Sequence, residues 1–156
     1  AVEQGESLIA EGAKVYVIDD AELDRVKNNY PVMWKDKNAT PKLCFVGCPH
    51  LSYDQLVEWT ENVCESLKKN GRSKVSIPTV FTAAPAVVEK FNATPNAAKL
   101  KATGVVLSYI CPLMYMNNPL AGKMPVITNS NKLRTYTTSR YYTSAEILDI
   151  ITKEAK

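Results

Sequence analysis

The chain has 156 residues, of which 46% are hydrophobic and 22% charged, the proportions of an ordinary globular protein. This length is enough for one domain that buries its core without disulfides or metals. The net charge of +3 is not gathered into a basic run, and no apolar stretch approaches the roughly 18–20 residues of a membrane span. We therefore expect no nucleic acid and no membrane among its partners, whereas a small anionic ligand would suit the charge.

Strand and helix patterns alternate along the chain. Apolar, β-branched runs predict strands over residues 14–18, 43–46, 75–82, 104–110 and 124–128. Helical spacing predicts helices over residues 2–11, 21–30, 52–70, 86–91 and 143–154. Polar loops are expected over residues 31–41 and 113–122. The alternation predicts a single α/β domain over residues 1–156, a layered αβα fold with a largely parallel sheet of about five strands.

Local signals sharpen three of these boundaries. Ser52 with Gln55, and Thr143 with Glu146, have the spacing of capping boxes at helix starts. Pro78 removes a ladder hydrogen bond, so the third strand is either an edge strand or begins after the proline.

The stretch Leu43–Ser52 carries the first candidate site. A buried strand is followed by Cys48 and by His50, the only histidine, on what should be a tight loop before a helix. Ligands of open α/β sheets bind beyond the carboxyl ends of the strands. His50 is therefore a candidate general acid or base, or a ligand-orienting residue; the alternative is a histidine that only hydrogen-bonds its own loop.

Cys48 and Cys111 share a setting, because each follows an apolar run directly and precedes a proline. If their strands are neighbours in a parallel sheet, both thiols point into one crevice. They then form a shared metal or cluster site, although two thiols do not complete a cluster. The alternative is a pair of buried free cysteines. Cys44 is expected to pack in the sheet, and the chain needs no disulfide, which favours a reducing, cytoplasmic location.

A polar turn follows the last predicted strand. Thr128–Lys132 offers hydroxyl, amide and ammonium donors, which suit a carboxylate or a phosphate. The alternative is a solvated turn without a ligand. On the residues alone, the chain is therefore either part of an enzyme or a stand-alone anion-binding or regulatory domain whose thiols are structural or bind zinc.

Four motifs taken together resemble, in order, the C-terminal part of the large subunit of the aconitase X family. They are Gly47–Ser52, Cys111–Leu113, Thr128–Lys132 and Arg140–Tyr142. The resemblance implies an aconitase-like domain and a hydro-lyase (dehydratase) activity. In such an enzyme an iron–sulfur cluster, of the 2Fe-2S or 4Fe-4S type, acts as Lewis acid for loss of water from a small anionic hydroxy acid.

The resemblance also implies roles for individual residues. Cys48 and Cys111 match cluster-ligand positions, and His50 would be catalytic, at the cluster or next to it. The substrate side would be lined by Asn129, Ser130 and Lys132.

The resemblance is incomplete in two respects. Large subunits of the family are much longer, their N-terminal part supplies a third cysteine, and a small swivelling subunit or domain supplies a serine that looks like the base. We therefore expect this chain to be a fragment that has those two partners, and to lack cluster and activity on its own. Thr82-Ala83-Ala84 stands where many relatives have Thr-Ser-Arg, which leaves the substrate open.

Overall fold

The structure, a computed structural model, describes residues 5–153. The chain divides into two compact units, the first ending at Pro31 and the second beginning at Val32. The prediction of a single domain over residues 1–156 stays a prediction. No helix within residues 5–153 is long and apolar enough to cross a membrane.

The first unit holds a 3-10 turn, Gly5–Leu8, and helix α1, Asp20–Asn28. The side chain of Asp19 accepts a hydrogen bond from the Glu22 amide and caps α1. The predicted helix over residues 2–11 is reduced to that 3-10 turn where it is described, and its first residues lie outside the described range. The predicted strand over residues 14–18 does not form in this structure, because the segment pairs with no strand within residues 5–153.

The second unit is a parallel sheet with helices on both faces, which confirms the layered αβα prediction. Its strands are β1 Leu43–Leu51, β2 Thr79–Ala83, β3 Val106–Ser108, β4 Val126–Thr128 and β5 Arg140–Tyr141. Its helices are α2 Tyr53–Lys69, α3 Pro85–Asn92, α4 Pro95–Ala102, α5 Pro112–Met116, α6 Asn131–Tyr136 and α7 Ser144–Thr152. The strand order is β3-β2-β1-β4-β5, with all neighbours parallel, so β1 is central.

One element takes a predicted alternative, and two others differ from their predicted form. Strand β2 begins directly after Pro78, which is one of the two predicted alternatives. Strand β3 is shorter than the predicted 104–110 and forms an edge, where Val106 is exposed. The predicted loop 113–122 contains α5, which begins with Pro112, a residue suited to a first helical position because its missing N–H needs no partner there.

Side chains along β1 alternate between two hydrophobic clusters. Cys44 and Val46 belong to the cluster that α2 and α7 cover, whereas Phe45 belongs to the cluster that α5 and α6 cover. The first cluster includes Leu56, Val63, Phe81, Ile127, Ile147 and Ile151, and the second includes Met116, Val126 and Leu133. The central strand is thus buried on both faces, as expected for a parallel sheet.

Both predicted capping boxes are formed. At the start of α2 the Ser52 hydroxyl accepts from the Gln55 amide at 3.2 Å, and the Gln55 side chain accepts from the Ser52 amide at 2.9 Å. The same reciprocal pair joins Thr143 and Glu146 at the start of α7. These contacts fix where each helix leaves the carboxyl edge of the sheet.

Ser52→Ala is expected to lower the free energy of unfolding by about 1 kcal/mol, because it removes the acceptor of the Gln55 amide. Urea denaturation of the 156-residue chain measures the change. Ser73→Ala is the matched control, since Ser73 is exposed and lies outside any helix. Equal losses in the two variants would contradict the role of Ser52.

Candidate functional site

The end of strand β1 differs from the predicted tight loop. The strand continues to Leu51 with an irregular register after Val46, and the Cys48-Pro49 peptide is cis. Gly47 has φ +109°, and its carbonyl accepts a hydrogen bond from the Thr82 hydroxyl at 2.5 Å. A Cβ at Gly47 would lie 2.3 Å from the Thr82 carbonyl oxygen. Only glycine therefore allows β1 to approach β2 this closely.

Cys48 lies at this carboxyl end of the central strand. Cys48 is 8% exposed and packs in the cluster of Phe45, Met116 and Leu133. Cys111 is half-buried at the N-cap position of α5, the helix that contributes Met116 to that cluster. The two thiols therefore lie at the same edge of the sheet and on elements that pack together.

The strands that precede the two cysteines are not neighbours, because β2 separates β1 from β3. A shared crevice was expected on the condition that these two strands are neighbours, and this condition is not met. The carboxyl ends of parallel strands still lie at one edge, whichever strands they are. That both sulfurs face one crevice stays a prediction.

A cleft of about 330 Å³ opens beside Cys48. Polar side chains from three elements line it: Gln55, Glu58, Asn62, Asn129 and Ser144. The first three lie at helical spacing on one face of α2, and Asn129 donates from Nδ2 to the Ser144 hydroxyl at 3.1 Å. Glu58 is the only charged residue in the lining, so the cleft itself favours hydroxyl or amide groups over anions.

The cleft brings together two of the predicted site residues, Cys48 and Asn129. The other four lie outside its lining: His50, Cys111, Ser130 and Lys132. The sequence analysis missed Glu58, Asn62 and Ser144. The polar face of α2 was readable from its spacing, but only the packing of α2 against the sheet shows that this face lines a cleft.

The predicted anion-binding residues surround the start of α6. Ser130 is the N-cap of α6: its hydroxyl is buried and accepts from the Leu133 amide at 2.9 Å. Lys132 is exposed in the first turn of the same helix. His50 is likewise exposed, at the end of β1. These side chains face solvent or a helix end rather than the cleft lining.

Of the remaining cysteines, Cys44 packs in the sheet, as predicted. Cys44 is fully buried, and burial raises the pKa of its thiol far above the usual range. Cys64 is half-buried on α2, and burial raises the pKa of its thiol while nearby Lys99 opposes the rise.

Cys48 and Cys111 have the chemistry of two ligands of an iron–sulfur cluster. Both are free thiols at the sheet edge, and an iron–sulfur cluster is held by thiolates. Within residues 5–153, no group of three or more histidine, cysteine or acidic side chains could hold a metal ion. These two residues therefore fit at most two positions of a cluster's ligand set.

The second unit is an open parallel α/β sheet, a class of domain in which ligands bind beyond the carboxyl ends of the strands. A sequence model described as the aconitase X third domain matches residues 41–152. The chain belongs to the aconitase X family, and the resemblance drawn from its motifs is confirmed.

A solved structure supports the fold. The crystal structure of Thermococcus kodakaraensis aconitase X (holo-form) matches with a TM-score of 0.64 and 20% identity, over 86% of this chain and 33% of that chain. The chain thus spans about a third of the length of that relative. No curated protein matches the sequence.

Gly47→Ala is expected to lower the free energy of unfolding by more than about 1 kcal/mol, because the new Cβ needs both a positive φ and the space that Thr82 fills. Gly71→Ala is the matched control: Gly71 has φ +65° but open space where a Cβ would lie, so this variant carries the backbone strain alone. Urea denaturation compares the two variants. A Gly47 loss no larger than the Gly71 loss would contradict the close approach of β1 and β2.

Iodoacetamide is expected to modify Cys111 in the native 156-residue chain and to leave Cys44 unmodified. Cys111 is half-buried, whereas Cys44 is fully buried and its raised pKa suppresses the reactive thiolate. Mass spectrometry of the labelled peptides measures both sites, and labelling in denaturant shows that each can react. Native labelling of Cys44 at the rate of Cys111 would contradict the described core.

Proposed function

We propose that this chain is the third domain of an aconitase-type hydro-lyase and supplies Cys48 and Cys111 to an iron–sulfur cluster. One observation carries the proposal: the match to the aconitase X third domain over residues 41–152 includes both cysteines and the Thr128–Lys132 turn. The position of both free thiols at the carboxyl edge of the sheet supports it.

A cluster bound there would supply a Lewis acid that activates the leaving hydroxyl of a small anionic hydroxy acid. This chain's own part is to hold and orient. The hydrophobic cluster around Cys48 limits the access of water to that thiol, and the Gly47–Thr82 hydrogen bond fixes the backbone that carries it.

Three residues would bind the substrate, and one would move a proton. Lys132 would attract a carboxylate or phosphate with its exposed ammonium group, and Asn129 would donate from its amide. Ser130, whose hydroxyl oxygen already accepts from Leu133, would donate its hydroxyl hydrogen. His50, two residues after Cys48 and exposed, would give or take a proton at an imidazole nitrogen.

Two partners follow from this proposal. Two thiols leave a cluster incomplete, so the N-terminal part of the same protein would supply a further ligand. A small swivelling subunit or domain would supply the catalytic base. The isolated chain is accordingly proposed to be inactive and without a cluster, and the complete enzyme to work in the cytoplasm, where thiols stay reduced.

A second candidate function keeps the thiols structural. In it the chain is a stand-alone anion-binding or regulatory domain whose cysteines pack in the core or bind zinc. The burial of Cys48 against Phe45, Met116 and Leu133 favours this candidate, because a buried free cysteine behaves as a small apolar residue.

Anaerobic reconstitution with iron and sulfide separates the two candidates, performed on the full-length protein with its small subunit. The wild type is expected to gain broad visible absorbance. Cys48→Ser and Cys111→Ser are each expected to lower iron retention by at least about tenfold, because each removes a ligand.

Cys64→Ser is the matched control, because Cys64 lies on α2 and is half-buried like Cys111. It is expected to keep the absorbance of the wild type. Wild-type absorbance in both Cys48→Ser and Cys111→Ser would contradict the hydro-lyase proposal. Stoichiometric zinc that is lost in the same two variants would establish the second candidate instead.

A further inference from the structure

The segment Lys14–Asn28 of the first unit exposes an unusual amount of apolar surface. Its extended part is Lys-Val-Tyr-Val-Ile, in which Val15 is 88% exposed and Ile18 69% exposed. Helix α1, which follows, has no buried residue, and its Leu23 is also exposed. Apolar surface concentrated in one short segment marks a site that another part of a protein covers.

The pattern of the extended part is that of a strand buried on both faces. Val15 and Val17 alternate with Tyr16 and Ile18, so both faces of an extended chain would be apolar. Such continuous β-branched runs are typical of central strands in parallel sheets. Asp19 caps α1 immediately afterwards, and the order strand, cap, helix is that of the first half of a βαβ unit.

One face of the segment already meets α1. The Tyr16 hydroxyl donates to the Glu22 carboxylate, which also pairs with Arg25. Hydrogen bonds from Arg25 and then Tyr16 lower the pKa of Glu22 to about 2, so the carboxylate stays charged at neutral pH. Both faces of the extended part nevertheless stay exposed, Tyr16 at 67% and Val17 at 68%, and the backbone has no strand partner within residues 5–153.

Two comparisons bear on what the partner is. The match to the third domain begins at residue 41, after this segment, and the related structure is about three times as long as the part that the chain covers. We propose that Lys14–Asn28 is a β-α unit of a second parallel sheet, formed by the remainder of the same polypeptide. This proposal rests on the proposed function in one respect: both require that the polypeptide is longer than the 156-residue chain.

Hydrogen–deuterium exchange tests the pairing. In the full-length protein, amides of residues 15–18 are expected to exchange at least about a hundredfold more slowly than in the 156-residue chain, because a sheet ladder would protect them. Residues 43–46 of β1 serve as the internal reference and are expected to be slow in both proteins. Rapid exchange of residues 15–18 in the full-length protein overturns the proposal.

Substitutions provide a second measurement. In the full-length protein Val17→Asn is expected to speed exchange of residues 15–18 at least about tenfold more than Lys14→Asn, the matched control, because only the first places a polar group in the buried sheet. Equal effects overturn the proposal. Slow exchange in the 156-residue chain alone, growing with concentration alongside a dimer mass, assigns the surface to a second copy and also overturns it.

The outcome is separable from that of the proposed function. Protection of residues 15–18 in a full-length protein that takes up no cluster leaves the interface in place and removes the hydro-lyase. Rapid exchange of residues 15–18 in a full-length protein that carries a cluster overturns the interface and leaves the hydro-lyase proposal in place.

Discussion

The second unit depends on the burial of β1 from four sides. Strands β2 and β4 pair with its two edges, and helices cover both of its faces. A strand in that position must be apolar at nearly every residue, which Leu43–Val46 satisfies with Cys44 as a small core side chain. The two clusters, and the central place of β1 in the sheet, follow from the need to bury both faces of this one strand.

The same constraint determines where chemistry is available. A buried strand exposes functional groups only where its burial stops, and the buried stretch of β1 stops at Cys48, beside the polar cleft. The neighbouring β4 delivers Asn129 to the same cleft, while the Cys111 segment arrives from beyond β2. The cleft is therefore assembled from residues far apart in sequence, and none of its elements forms it alone. That Cys111 belongs to the same site stays a prediction.

Local signals predicted most of the fold, and non-local packing explains the rest. The capping boxes at Ser52 and Thr143 involve residues three apart, so the sequence revealed them. The segment 14–18 has a strand's composition, but a strand also needs a neighbour, which composition does not supply. Strand β5 exists only through its pairing with β4, and the place of Glu58 in the cleft depends on how α2 rests on the sheet.

The close approach at Gly47 has a consequence for reading other sequences of this kind. Because the backbone carbonyl of Thr82 occupies the space of a Cβ there, a smaller side chain at position 82 would not make room for another residue at position 47. Sheet geometry thus requires the glycine of the Gly-Cys-Pro motif, whatever the role of the cysteine beside it. A relative that has replaced the cysteine should still keep the glycine, so the motif marks the fold even where the thiol is lost.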